Sequence, residues 1–321
     1  MKKIAIIGLG LIGGSMGLGL RAAGLGEARL VGFSRSQATR VKAKQVGAID
    51  ETAGSLTSCV EAAGLVILAT PVMAIEAILG EIAPVLPEGC VVTDVASTKS
   101  SVMRWAAGSL PESVSFVGGH PMAGKEVAGI RAADADLFRG CTYCVCAAPG
   151  TDSRAVDMVA GLATILGANP YFVDPAEHDS LVAGISHLPM LLSTALVSAT
   201  TSSPAWRELS RLASSGYRDT TRLASSDPVM SRDIYLTNQE SLGRWMDILI
   251  GELEELRRDI NDGSEALEAK LRRIKDERDR WQQGADGSAP AASNGPQAGG
   301  VGHLLFGNLP SPLSRTGRKR R

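Results

Sequence analysis

The stretch MKKIAIIGLGLIGGS, Met1 to Ser15, decides the fold. A short apolar run, Ile4 to Ile7, leads into Gly8, Gly10 and Gly13, and Ser15 to Ala23 can form a helix. The three glycines of G-x-G-x-x-G serve different physical ends. The first lets the chain turn sharply out of a strand, the second lets backbone approach a pyrophosphate, and the third lets helix and strand pack closely. The N–H groups at the helix start, from Leu11 and Ile12 onward, then face the phosphates together with the positive end of the helix dipole. The spacing lies after a strand-like run and before a helix, so a dinucleotide is the expected ligand. A glycine-rich turn without function is the alternative.

Downstream of this unit, Arg29 to Phe33 reads as a second strand. An acidic residue for the ribose 2′-hydroxyl is expected about 20 residues beyond the glycines. Ser34 and Arg35 stand there instead. A carboxylate repels a 2′-phosphate, whereas a serine–arginine pair binds it through charge-assisted hydrogen bonds, so NADP is favoured and NAD remains open. Leu65 to Thr70 is a continuous apolar run ending at Pro71, as suits a parallel strand buried on both faces. Thr70 and Pro71, at its carboxyl end, join the expected cofactor contacts. Further strands are read at Val91–Val95, Ser113–Val117, Thr142–Ala147 and Pro170–Val173, alternating with helical patterns such as Gln37–Val46, Ile75–Leu86 and Arg154–Leu166. Such alternation means an α/β, doubly wound, mostly parallel sheet over residues 1–174.

After Asp174 helical patterns take over. Residues 175–283 read as an all-α domain, with a mostly apolar stretch at Glu177–Thr200 and an amphipathic stripe through Leu242, Leu249, Leu253, Leu256 and Ile260. Gly263 ends that helix and Ser264 can cap another, whose Leu267, Leu271, Ile274 and Trp281 form a narrow seam. Residues 284–321, rich in Gly, Ser, Ala, Pro and Asn and ending in Arg318, Lys319, Arg320 and Arg321, read as a disordered tail with too little apolar surface to order itself. The chain has 321 residues, 44% hydrophobic, with a formal net charge of −1, so nothing suggests nucleic acid or an anionic membrane surface as partner. No uninterrupted apolar run reaches a membrane span. The expectation is therefore a cytoplasmic protein that binds a small molecule. Its five cysteines are an odd number, and the cluster Cys141, Cys144, Cys146 reads as strand rather than metal site; no metal is expected.

Two loops beyond strand ends carry chemistry: Asp94 to Lys99, and Gly118 to Glu126 around His120. An imidazole there can take a proton from an alcohol as hydride leaves, and Ser97 can hydrogen-bond the same oxygen. The alternative is that His120 packs in a turn. Arg218 and Arg222, four apart, share a face if helical and suit carboxylate recognition; a solvent-facing pair of charges is the alternative. His178 and His187, nine apart, fall on opposite sides of a straight helix and share a pocket only if Pro189 distorts it.

Taken together, GLGLIGGS (Gly8–Ser15), DVASTKS (Asp94–Ser100), GGHPMAGKE (Gly118–Glu126), HD…SHLP (His178–Pro189) and GYRDTTR…SDP (Gly216–Pro228) resemble the prephenate/arogenate dehydrogenase family of tyrosine biosynthesis. The resemblance runs from about Met1 to Gly263. It implies a Rossmann domain followed by a helical domain that makes a homodimer, with the active site between them. It implies that His120 is the catalytic base, that Ser97 assists at the ring hydroxyl, and that Arg222 binds a substrate carboxylate. By the same resemblance Arg218 and Asp219 border the entrance and His187 lines the site. Met190 stands where prephenate-type members often have a second histidine, which leaves room for arogenate. Lys125 stands where many members have Thr or Ser, and can supply a replacement cation to the substrate. Two other readings are a β-hydroxyacid or imino-acid reductase of similar plan, and a non-catalytic module that senses NADPH.

Overall fold

In the computed structural model, which describes residues 3–24, 28–125, 127–263 and 265–284, the chain forms one eight-stranded sheet followed by helices. In chain order the first half holds β1 (Lys3–Ile7), α1 (Leu11–Ala22), β2 (Arg29–Phe33), α2 (Gln37–Gln45), β3 (Glu51–Thr52), α3 (Leu56–Val60), β4 (Leu65–Leu68) and α4 (Ile75–Ile82). Then come β5 (Val91–Asp94), α5 (Ser100–Ser109), β6 (Ser115–Pro121), β7 (Thr142–Ala147), α6 (Ser153–Ile165) and β8 (Asn169–Phe172). The strand order is β3-β2-β1-β4-β5-β6-β7-β8, parallel throughout except that β6 and β7 are antiparallel. The chain reverses direction across the sheet between β1 and β4, which opens a ligand crevice beyond their carboxyl ends.

The apolar runs are continuous because both sheet faces are covered. Ile4, Ile6, Leu65 and Ile67 pack with Met16 and Leu20 of α1 and Val159 and Leu162 of α6. Their neighbours Ala5, Ile7, Val66 and Leu68 point the other way, onto Ile75 and Leu79 of α4 and Val102 of α5. This is the period-two alternation of a strand, with both phases apolar.

The helical half contains α7 (Pro175–Val182), one π turn (Ala183–His187), α8 (Leu188–Thr201), α9 (Trp206–Leu212), α10 (Ser215–Thr221), α11 (Pro228–Thr237), α12 (Gln239–Asp262) and α13 (Glu265–Gln282). The helix from Pro175 to Thr201 is long and apolar enough, by length and composition, to cross a membrane, which corrects the expectation drawn from uninterrupted runs. Here it carries buried His178, Asp179 and His187 and packs against α5, α10 and α12. Gly263 closes α12 in the left-handed conformation (φ 59°). Along α12 and α13 the seams stay open: Ile248, Leu253, Ile260, Leu271 and Trp281 are each more than half exposed in the single chain. The expected cap Ser264 and the tail beyond Gly284, with Arg318 to Arg321, lie outside the described residues.

Candidate active site

The crevice at the sheet switch point is shaped by its glycines. Gly8 has a φ of 97°, and a Cβ there would meet the Ala69 carbonyl oxygen at 2.2 Å. A Cβ on Gly13 would meet the Gly8 carbonyl oxygen at 1.9 Å, so α1 seats directly on the turn. At Gly10 an added Cβ meets nothing within 4 Å; it would project into open space. Gly10 is also the N-cap of α1 and offers no side-chain cap, so the first-turn N–H groups at Leu11 and Ile12 are left for a ligand. Across the crevice, just past β4 and next to Pro71, the Thr70 hydroxyl is buried without a hydrogen-bond partner. An open cradle, uncapped N–H groups and an orphaned hydroxyl fit a dinucleotide laid over this edge. At the far end Ser34 follows β2, half-buried, and its carbonyl takes a hydrogen bond from the Arg40 guanidinium. Arg35 is exposed. Arg40, which lies over the Phe33 ring at 5.5 Å, is a second cation at this end that the sequence pattern does not single out.

The second half of the site lies at the ends of β5 and β6. The apolar pattern ends at Val117, but β6 continues through His120 to Pro121 because β7 pairs with it, His120 opposite Cys144. The preceding glycine does not simply open space. A Cβ on Gly119 would meet both the Asp94 carbonyl oxygen and the Tyr143 hydroxyl at 2.6 Å. Asp94 and Lys99 form a fully buried ion pair. The Lys99 ammonium also donates to the Gly119 carbonyl (2.7 Å), while the Asp94 carboxylate accepts from the N–H of Gly119 (3.2 Å) and of Ala96 (2.9 Å). Both backbone groups of the residue before His120 are thus held by one ion pair.

Helix α7 meets this strand end from the other domain. His120 Nδ1 lies 2.9 Å from His178 Nε2, and the rings meet edge to face. His178 Nδ1 lies 2.8 Å from the Asp179 carboxylate. That carboxylate also accepts from the backbone N–H of Lys99 (2.7 Å) and of Ser100 (2.8 Å) at the start of α5. Asn238, between α11 and α12, donates to the Asp179 carbonyl (2.7 Å) and reaches His187 Nδ1 at 3.2 Å. Burial lowers the His120 pKa well below 6.5, and the charges of His178, Lys99 and His187 push the same way, so the imidazole is neutral at physiological pH. His187 is brought down to about 4, mainly by burial with His178 adding, against the opposing pull of Asp179 and the Ser97 carbonyl. Burial works to raise the Asp179 pKa, but hydrogen bonds from His178, Lys99 and Ser100 outweigh it and hold the carboxyl below its usual range.

His178 and His187 therefore belong to one cluster. In the π turn the Leu188 N–H donates to the Ala183 carbonyl, five residues back, and this extra residue in one turn cuts the half-turn separation expected of a straight helix to about a quarter turn. Pro189, without an N–H, follows directly.

Residues 16–171 match the prephenate dehydrogenase nucleotide-binding domain, and residues 174–275 match the prephenate dehydrogenase dimerization domain. The chain belongs to the prephenate dehydrogenase family. It is 38% identical over 293 residues to a prephenate dehydrogenase of Bacillus subtilis, covering 90% of this chain and 78% of that one. The crystal structure of Synechocystis arogenate dehydrogenase superposes with a TM-score of 0.75 at 33% identity, covering 87% of this chain and 99% of that one. The prephenate dehydrogenase of Aquifex aeolicus, in complex with hydroxyphenyl propionate and NAD+, gives 0.81 at 29% identity, covering 87% and 97%. The chain is thus a nicotinamide-dependent dehydrogenase with a Rossmann domain and a helical dimerisation domain.

Within this family member, His120 and His187 come together, with Ser97 half-buried beside them and its carbonyl acting on His187. Arg218 lies exposed on α10 and Arg222 opens a 3-10 turn just after it, so the two do not share one regular helix face. That stretch is tied to α8 where Ser193 donates to the Thr220 carbonyl (2.6 Å). Lys125 is exposed, and its ammonium is engaged by Asp134 at 2.9 Å rather than by the histidine cluster. Met190 is buried on α8, with the Ser231 hydroxyl at 3.3 Å from its sulfur. Lys99, Asp94, His178, Asp179 and Asn238 join the site from the structure, without a role assigned by the sequence. A signal for the first four is present, since DVASTKS and HD…SHLP each pair a carboxylate with a cation or an imidazole.

Proposed function

We propose that the chain catalyses the NADP-preferring oxidative decarboxylation of prephenate to 4-hydroxyphenylpyruvate, or of arogenate to tyrosine, as a cytoplasmic homodimer. The observation that carries this reading is the neutral, buried His120, held by both domains at the strand ends beside the dinucleotide crevice. A neutral imidazole whose Nε2 has no partner among the described residues can accept the proton of a ring hydroxyl. Ser97 steadies the same oxygen. A bound nicotinamide would supply the acceptor for the hydride on the carbon bearing that hydroxyl. The ring carboxylate leaves as carbon dioxide, its electron pair completes the aromatic ring, and His120 returns the proton to the ring oxygen. Arg222, with Arg218 at the entrance, binds a substrate carboxylate, and the His187 ring packs against the substrate. The names borne by the Bacillus, Synechocystis and Aquifex relatives support both candidate substrates. Met190, in place of an imidazole, leaves room for the amino group of arogenate. Ser34 and Arg35, with no carboxylate at the end of β2, support the preference for NADP.

Initial rates of reduced-cofactor formation with prephenate and arogenate, each paired with NAD and NADP, test the reading. Turnover is expected with at least one substrate, faster with NADP. No turnover in any pairing overturns it and favours a non-catalytic NADPH-binding module.

A further inference from the structure

The donors and acceptors around His120 can be assigned one after another. A carboxylate only accepts, and Asp179 is held ionised with the backbone N–H groups of Lys99 and Ser100 as donors. His178 Nδ1 must therefore carry the proton in their 2.8 Å contact. A His178 ring that carries its one proton on Nδ1 accepts at Nε2, and the proton in its 2.9 Å contact with His120 then belongs to His120 Nδ1. That leaves His120 Nε2 unprotonated. His187 has the opposite tautomer. Asn238 donates from the same amide nitrogen to the Asp179 carbonyl, which fixes that nitrogen as a donor, so His187 Nδ1 accepts and its proton sits on Nε2. That Nε2 is buried and has no partner among the described residues.

We propose that His178 and Asp179 are positioning residues that lock His120 as its Nδ1–H tautomer, turning Nε2 toward the substrate as the proton acceptor. The proposal rests on His120 being the base of the reaction proposed above. The pair acts through His120 and touches neither substrate nor cofactor. Without it, His120 would divide its population between two tautomers, and the one protonated at Nε2 cannot accept a proton. The same lock supports the imidazolium after transfer, because the His178–Asp179 pair faces the new positive charge. The arrangement also leaves His187 a neutral ring with a buried N–H at Nε2.

The chain has four histidines, so ring-nitrogen 15N spectra of the full-length, NADP-bound protein labelled at histidine can be assigned by single substitutions. At mildly alkaline pH, His120 and His178 are expected to be protonated at Nδ1 and His187 at Nε2. A proton on Nε2 of His120 or of His178 overturns the proposal, whatever the enzyme turns over. Kinetics give a second reading. His178→Leu removes the acceptor and is expected to lower kcat by ~10²-fold or more, with KM and NADP affinity within about twofold. His178→Gln can accept from His120 and donate to Asp179, and is expected to recover at least about tenfold of that loss. A Leu variant with near-normal kcat, or a Gln variant no faster than Leu, overturns the proposal. If His178→Leu fails to fold, the spectra of the unsubstituted protein still decide. Failure of every substrate pairing with the expected tautomers present would instead count against the proposed reaction.

Discussion

Acidification should unfold this protein in a window set by its buried imidazoles. His187 is neutral in the fold down to about pH 4, whereas an unfolded histidine titrates near 6.5. Between those values the unfolded chain binds a proton that the folded chain refuses. The contribution is fully present above ~6.5 and is lost as pH falls, at ~1.4 kcal/mol per pH unit, until the folded ring titrates. From about pH 7.5 to about pH 5 the loss through His187 is ~2 kcal/mol. His120, lowered in the same direction by burial and by neighbouring charge, adds to the loss. Asp179 is held below the ordinary carboxylate range, so its contribution is lost only at lower pH, outside this window. Urea unfolding at the two pH values, at one fixed protein concentration because a dimer's stability depends on it, measures the difference. His187→Gln, which has no ring to titrate, should show a slope shallower by ~2 kcal/mol over the same interval. Equal stability at the two pH values, or an unchanged slope in His187→Gln, would refute the reasoning.

Four further outcomes follow from the site. His120→Asn should lower kcat by ~10²-fold or more while NADP still binds, read by steady-state rates and by quenching of tryptophan fluorescence. Ser34→Asp should shift the kcat/KM ratio of NADP to NAD toward NAD; an unchanged ratio would move recognition of the 2′-phosphate to Arg35 and Arg40. Gly10→Ala should weaken cofactor binding and leave Tm alone, since its methyl enters open space, whereas Gly13→Ala should lower Tm because its methyl meets a carbonyl oxygen. Arg222→Gln should chiefly raise the substrate KM, since carboxylate binding acts on ground and transition states alike.

The parts of the molecule legible in the sequence are those encoded locally. Strand, glycine turn and helix occupy the first fifteen positions together, and the doubly apolar strands at Ile4–Ile7 and Leu65–Leu68 announce a sheet covered on both faces. What is not legible depends on partners far away in the chain. Gly118 and Gly119 hide the continuation of β6, which exists because Tyr143, Cys144 and Val145 pair with it from β7. Lys99 reads as a loop lysine until Asp94 and the Gly119 carbonyl enclose it. Weakly patterned α9 and α10 carry no buried residue, so they have little periodicity to read. The separation of His178 and His187 differs from that on a straight helix for a geometric reason: one π turn shifts the helix phase, and only Pro189 hints at it.

Asp179 shows why the proposed base and the domain boundary cannot be engineered separately. The start of α5 has no capping side chain of its own, since Lys99 is its N-cap and points into the sheet. Asp179, from the helical domain, supplies the missing acceptors for the Lys99 and Ser100 N–H groups, and with the same carboxylate takes the His178 proton. Its backbone carbonyl, through Asn238, reaches His187. One residue thus caps a Rossmann helix, fixes the tautomer chain to His120 and ties in the second imidazole. Removing it would strand two buried N–H donors and an imidazole at once, each at a cost of ~1–3 kcal/mol. A loss of turnover in an Asp179 variant would therefore mix docking with orientation. The His178 ring bonds only to His120 and Asp179 among the described residues, so orientation can be separated from docking there.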